Sequence, residues 1–225
     1  MNDDHQEGII RGRMHKLGWA GAFLGFVLAV TMGYSMWQAS VRRDVEQLPV
    51  IRAVPEFALT DQNGNEITTA DLRGKIWIAD FIFTRCAGPC PLMTARMLEM
   101  QKALVKTPGV KLVSVTVDPE HDTPEVLKAY AEANFADPER WKFLTGDKAV
   151  IERLVTEGFM QHLAEENGEP VHGTMFLIVD GNGMVRSARM LEDPELIPKV
   201  LTDAGNLLRE QGVVNPSGSQ ERPPG

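Results

Sequence analysis

Cysteine is almost missing from this chain: only Cys86 and Cys90 occur among 225 residues. That excludes a small scaffold braced by several disulfides, and it directs any thiol chemistry to one place. Basic charge is also in short supply, with 23 Lys and Arg against 31 Asp and Glu and a net charge of −8. A nucleic-acid partner is therefore not expected, because such partners demand a basic face. No segment repeats itself, so solenoid and propeller architectures are set aside. Long apolar runs are absent too, with a single exception near the N-terminus.

That exception runs from Leu17 to Val41 without one charged residue. About 20 apolar residues suffice to cross a bilayer as a helix. Trp19, Tyr34 and Trp37 lie toward its ends, where amphipathic rings favour the interface. Arg11, Arg13 and Lys16 precede it and Arg42 and Arg43 follow, three against two, which places the N-terminus in the cytoplasm. No small-residue cleavage motif follows, and Asp3, Asp4 and Glu7 argue against a mitochondrial transit peptide. The reading is a cytoplasmic head (1–16), a transmembrane signal anchor (17–41), a linker (42–54), a globular domain (55–210) and a disordered tail (211–225). The domain is expected in the bacterial periplasm, tethered to the cytoplasmic membrane. The tail "NPSGSQERPPG" is polar and rich in Pro, Gly and Ser.

Within the domain, Asn63-Gly64-Asn65 and Gly181-Asn182-Gly183 each mark a hairpin turn between strands. "KIWIADFIF" (75–83) and "VKLVSVTV" (110–117) are near-continuous apolar runs, as strands buried on both faces require. "WKFL" (141–144) predicts another strand. Helices are predicted over 91–104, after a cap at Asp122 or Thr123 with Pro124 in the first turn, after Asp147, and from about Pro194 to Arg209. Met93, Met97 and Met100 recur at helical spacing and are read as core residues, not a metal-binding box. Alternating strands and helices with added hairpins predict an α/β fold, its sheet covered on both faces.

The segment "FTRCAGPCPLMT" (83–94) leaves the first buried strand at its carboxyl end, where such sheets place their sites. Pro91 predicts a helix starting there, with Cys90 near the N-cap and Cys86 in the loop before it. Helix amides and the adjacent Arg85 would favour a thiolate. A disulfide staple, a redox couple and half of a metal site all remain open at this point. Of the five histidines, His5 and His15 fall across the membrane. His121 reads as a solvated turn residue and His162 as one on a strand edge. His172 stands directly before the strand "TMFLIVD" and is the candidate partner of the cysteines. Asp118 and Asp122 are expected to fix a loop and cap a helix.

"FTRCAGPCP", "SVTVDPEHDTPEVLKAYAEA" and "VHGTMFLIVDGNG" together resemble the Sco/SenC family over residues 52–210. The resemblance implies a thioredoxin-like fold with a central mixed sheet. It also implies copper as the bound metal, with Cys86, Cys90 and His172 as ligands. The implied role is assembly of the dinuclear copper centre of cytochrome c oxidase, a chaperone's task rather than an enzyme's. The oxidase's copper-binding subunit, an upstream copper donor and a thiol reductant are then the expected partners. Two thiolates and an imidazole suit both oxidation states of copper. The alternative is a thiol–disulfide oxidoreductase that reduces the oxidase cysteines with Cys86 and Cys90, and it has no need of His172. This chain has Ala87 and Gly88 where the family often has Pro and an acid, and Val171 where Asp is common. A peroxidase is disfavoured, since Ala79 stands where its motif needs proline.

Overall fold

The computed structural model describes residues 25–37, 47–159, 164–166, 169–171 and 173–212. Residues 1–46 and 47–225 form two separate compact units. In the first, residues 25–37 form helix α1, whose Phe26, Leu28, Met32, Met36 and Trp37 are exposed. Among the described residues no helix is long and apolar enough to cross a membrane. The ends of the expected span, 17–24 and 38–41, lie outside the described residues, as do the head and residues 213–225 of the tail.

The second unit is built on strand β4 (Ile76–Ile82), every residue of which is buried. β5 (Val110–Thr116) and β6 (Trp141–Thr145) run parallel to it in succession. β9 (Met175–Val179) pairs antiparallel on its other side, and β10 (Met184–Met190) pairs antiparallel with β9. The hairpin of β2 (Ala58–Asp61) and β3 (Glu66–Thr68) attaches to β6, and β1 (Arg52–Ala53) attaches to β10. The eight-stranded order is β1-β10-β9-β4-β5-β6-β2-β3, a mixed sheet as expected. A separate small hairpin, β7 (Ala164–Glu166) with β8 (Glu169–Val171), was not legible in the sequence pattern.

Each face of β4 meets its own layer. Trp77 and Phe81 pack edge-on against Phe159, with ring centroids 5.9 and 5.2 Å apart. The opposite face receives α2 (Cys90–Ala103) and α3 (Pro124–Ala133), joined by Thr94 Oγ1 and Tyr130 Oη at 2.8 Å. Met93, Met97 and Met100 are fully buried, which confirms them as core. Each contributes roughly 1.5–3 kcal/mol by leaving water. Of the two expected cap candidates, Thr123 caps α3 by accepting from Val126 N, while Asp122 is engaged elsewhere. Asp147 caps α4 (Lys148–Arg153), which ends in a π-turn at Leu154–Gly158. α5 (Leu196–Glu210) closes the chain against the α2 side. Gly64 and Gly183 take φ of 82° and 78° in the two hairpin turns, a region that costs other residues strain.

The stretch expected as a linker is corrected from residue 47 onward. Leu48 and Val54 are buried, and Arg52 and Ala53 pair with Val185 and Met184. Arg186 holds the strap by donating to Leu48 O at 2.6 Å, while pairing with Asp180 and Glu210. A two-residue strand shows no periodicity, and its anchor lies far along the chain, so the sequence pattern could not reveal it. A chain starting at Arg43 is expected to unfold cooperatively in urea. One starting at Pro55 should be at least about 3 kcal/mol less stable, since it loses two buried aliphatic side chains and a strand. Equal stability of the two would return 47–54 to the linker.

Candidate metal centre

β4 ends at Ile82, and the chain turns through Phe83–Pro89 before α2 begins. Asp122, fully buried, pins this turn from the facing loop. Its carboxylate accepts from Thr84 N at 3.1 Å, from Thr84 Oγ1, and from Thr116 Oγ1 at the end of β5. Cys86 N donates to Phe83 O at 3.2 Å, tightening the turn further. The helix starts one residue earlier than expected, at Cys90, with Pro89 as a cap that offers no side-chain acceptor.

Neither cysteine is in a disulfide; Cys86 is half-buried and Cys90 buried. The expected acidic thiol at the helix start is not found at Cys90. Burial pushes the Cys90 thiol well above its ordinary pKa, and a hydrogen bond with Cys86 adds to this against a lowering contact from the Phe83 backbone. Desolvation of a residue with 1% exposure outweighs the helix dipole. The two sulfurs are hydrogen-bonded neighbours, and burial favours the protonated form of Cys90. As soft donors that gain charge when their protons leave, they fit a soft metal ion.

Arg85 is engaged by Asp118, with Nη2 2.7 Å from Oδ2. Burial acts to raise the Asp118 carboxyl, but hydrogen bonds from Arg85 and His121 outweigh it and hold the group below the usual range. His121 is half exposed, and its Nδ1 lies 2.9 Å from Asp118 Oδ1, a turn residue as expected. Among the described residues no three His, Cys, Asp or Glu side chains are grouped to hold a metal. His162 and His172 both lie outside the described residues. The strand after His172 does belong to the expected sheet: Leu177 of β9 sits opposite Ala79 of β4, antiparallel. That register directs the N-terminal end of β9 toward the end of β4 that carries the cysteine turn.

Sequence reasoning missed Asp80. It interrupts the apolar run "KIWIADFIF" at its middle, and that lone acid was the available signal. It is fully buried, with Oδ1 accepting from Ser114 Oγ at 2.5 Å and Oδ2 without a partner. Burial, opposed only in part by hydrogen bonds from Ser114 and its own backbone, pushes its carboxyl up to about 7.

Comparison with known proteins adds an independent line. The SCO1/SenC family model matches residues 46–204. A SCO1 protein homolog from Bacillus subtilis is 36% identical over 141 residues, covering 61% of this chain and 73% of that protein. The structure is similar to that of BsSco, a member of the Sco family of cytochrome c oxidase assembly proteins in which a disulfide switch was identified. That match has a TM-score of 0.66 and 31% identity, over 72% of this chain and 98% of the other. It is also similar to Bradyrhizobium japonicum ScoI with copper bound, at TM-score 0.59 and 27% identity over 70% of this chain and 100% of the other.

Asp122→Ala tests how the turn is held. Thr84 N–H and two hydroxyls would lose their shared acceptor, at a cost of about 2–4 kcal/mol in urea unfolding. Alkylation of Cys86 should become faster as the turn loosens. A loss under about 1 kcal/mol with unchanged alkylation would show that the turn is held by other contacts.

Proposed function

The chain belongs to the SCO1/SenC family, and on that premise we propose that it is a membrane-anchored copper chaperone. It holds copper through Cys86, Cys90 and His172 and assists assembly of the dinuclear copper centre of cytochrome c oxidase. The observation that carries this reading is the pair of adjacent cysteines, hydrogen-bonded and outside any disulfide, in the turn that follows β4. The register of β9 supports His172 as the third ligand, because the strand that follows it in sequence begins at the same end of the sheet. Copper suits two sulfurs and an imidazole in either oxidation state.

The chain's own residues have three tasks here. Asp122 keeps the cysteine turn at a fixed distance from β5. Burial keeps Cys90 protonated until a cation compensates the charge of its thiolate, so uptake releases protons. The half-buried Cys86 provides the entry side. A thiol–disulfide exchange role is the second reading, favoured by the hydrogen bond between the thiols, and it would reduce the oxidase cysteines before metal arrives. Residues 17–41 are the anchor in this proposal, with the sheet domain in the periplasm of a bacterium.

Under reducing conditions the protein is expected to bind one copper ion. Cys86→Ala or Cys90→Ala should abolish tight binding in competition titrations. His172→Ala should keep part of the copper(I) affinity and lose most of the copper(II) affinity, while His121→Ala and His162→Ala bind as the wild type does. Wild-type affinity for both oxidation states in His172→Ala would leave the dithiol exchange reading as the better account.

A reporter enzyme active only outside the cytoplasm, fused after Gly225, should be active in bacteria. Activity of a cytoplasm-specific reporter at the same position would reverse the topology.

A further inference from the structure

Two methionines have no task in the copper reading or in the core. Met190, the last residue of β10, is 57% exposed, and Met175, the first of β9, is half-buried. The strand register sets them directly opposite each other. Leu191 N donates to Thr174 O at 2.9 Å, so Leu191 and Thr174 are the hydrogen-bonded pair next to them. Met175 and Met190 are therefore a non-hydrogen-bonded pair. In such pairs the Cα atoms approach to about 4.5 Å and the side chains stand closest. Ser187 and Arg189 turn to α5, donating to Asp203 Oδ2 at 2.6 and 2.9 Å. Strand alternation sends Ala188 and Met190 to the opposite face, and both are exposed. Glu192, whose Oε1 accepts from Thr174 Oγ1 at 3.3 Å, adds a negative charge beside this strand end. Because Leu177 sits opposite Ala79, Met175 lies toward the Ile82 end of β4, the end that carries the cysteine turn.

We propose that Met175 and Met190 form a second metal site, one for a soft monovalent cation such as copper(I) or silver(I). Thioether sulfur is a soft, neutral donor that suits such ions and offers little to hard ones. A methionine side chain is long and unbranched, so sulfurs from two opposed strand positions reach one ion without moving the backbone. The buried Met93, Met97 and Met100 cannot serve in this way, because the core encloses them. The site needs neither cysteine and does not rest on the copper reading of Cys86 and Cys90. Binding moves no electron and releases no proton, since a thioether carries none.

The test uses the full chain in detergent, carrying Cys86→Ser and Cys90→Ser and isotope-labelled methionine methyl groups. It is titrated with silver(I) in chloride-free buffer and followed by NMR. The Met175 and Met190 methyl signals are expected to shift together, along one binding curve. Met184, half-buried at the other end of β10 and opposite Ala53, should stay in place. Met190→Leu keeps the side-chain volume at an exposed position and should weaken the Met175 response about tenfold or more. Met175→Leu should do the same to Met190, and copper(I) kept reduced should compete with silver(I) for both signals. Silent methyls or separate binding curves for the two would overturn the site. So would a Met175 response in Met190→Leu within about twofold of the original. Both cysteines are absent throughout, so failure here leaves the cysteine reading standing, and failure of that reading leaves this result unchanged.

Discussion

The burial of β4 on both faces is the constraint from which the rest of the structure follows. Seven consecutive residues without exposure require a cover on each side and a paired strand on each edge. The aromatic cluster of Trp77, Phe81 and Phe159 supplies one cover, and the methionine face of α2 supplies the other. Once β4 is placed, its carboxyl end is the place where the chain must leave the sheet and turn back as a helix. The two cysteines sit in that turn.

Placing a dithiol on a central strand's end has an electrostatic consequence. Cys90 enters the core with the first turn of α2, and burial then works against its thiolate more strongly than the helix amides work for it. Burial thus favours the protonated form of Cys90. Polar contacts are concentrated where the turn needs rigidity. Asp122 gathers two threonines, and Asp118 gathers Arg85 and His121. The D-P-E-H-D-T-P segment thereby acts as a brace for the F-T-R-C turn, joining two stretches far apart in sequence.

At the opposite end of the same sheet a different device operates. Arg186 ties the strap before β1 to the β9–β10 turn and to the last turn of α5 through Asp180 and Glu210. Because this side chain is mostly buried, its pairing matters more to stability than an exposed bridge such as Arg73 with Glu56. The fold is secured at its base by an arginine and at its site end by an aspartate.

The β4 and β5 runs, both hairpin turns, the methionine face of α2 and the position of the cysteine turn were legible in the sequence. Each is written in local periodicity or turn chemistry, which a short window of residues contains in full. The motif order also carried the family. The choice of Thr123 over Asp122 as the cap of α3, the strap at 47–54, the raised thiol of Cys90 and the isolation of Asp80 were decided only by tertiary structure. All four depend on which distant residues come together. Arg186 meets Leu48, Thr84 and Thr116 claim Asp122 as an acceptor, and α2 seals Cys90 from water. Burial and long-range pairing set ionisation and anchoring, and neither quantity exists until the chain has folded.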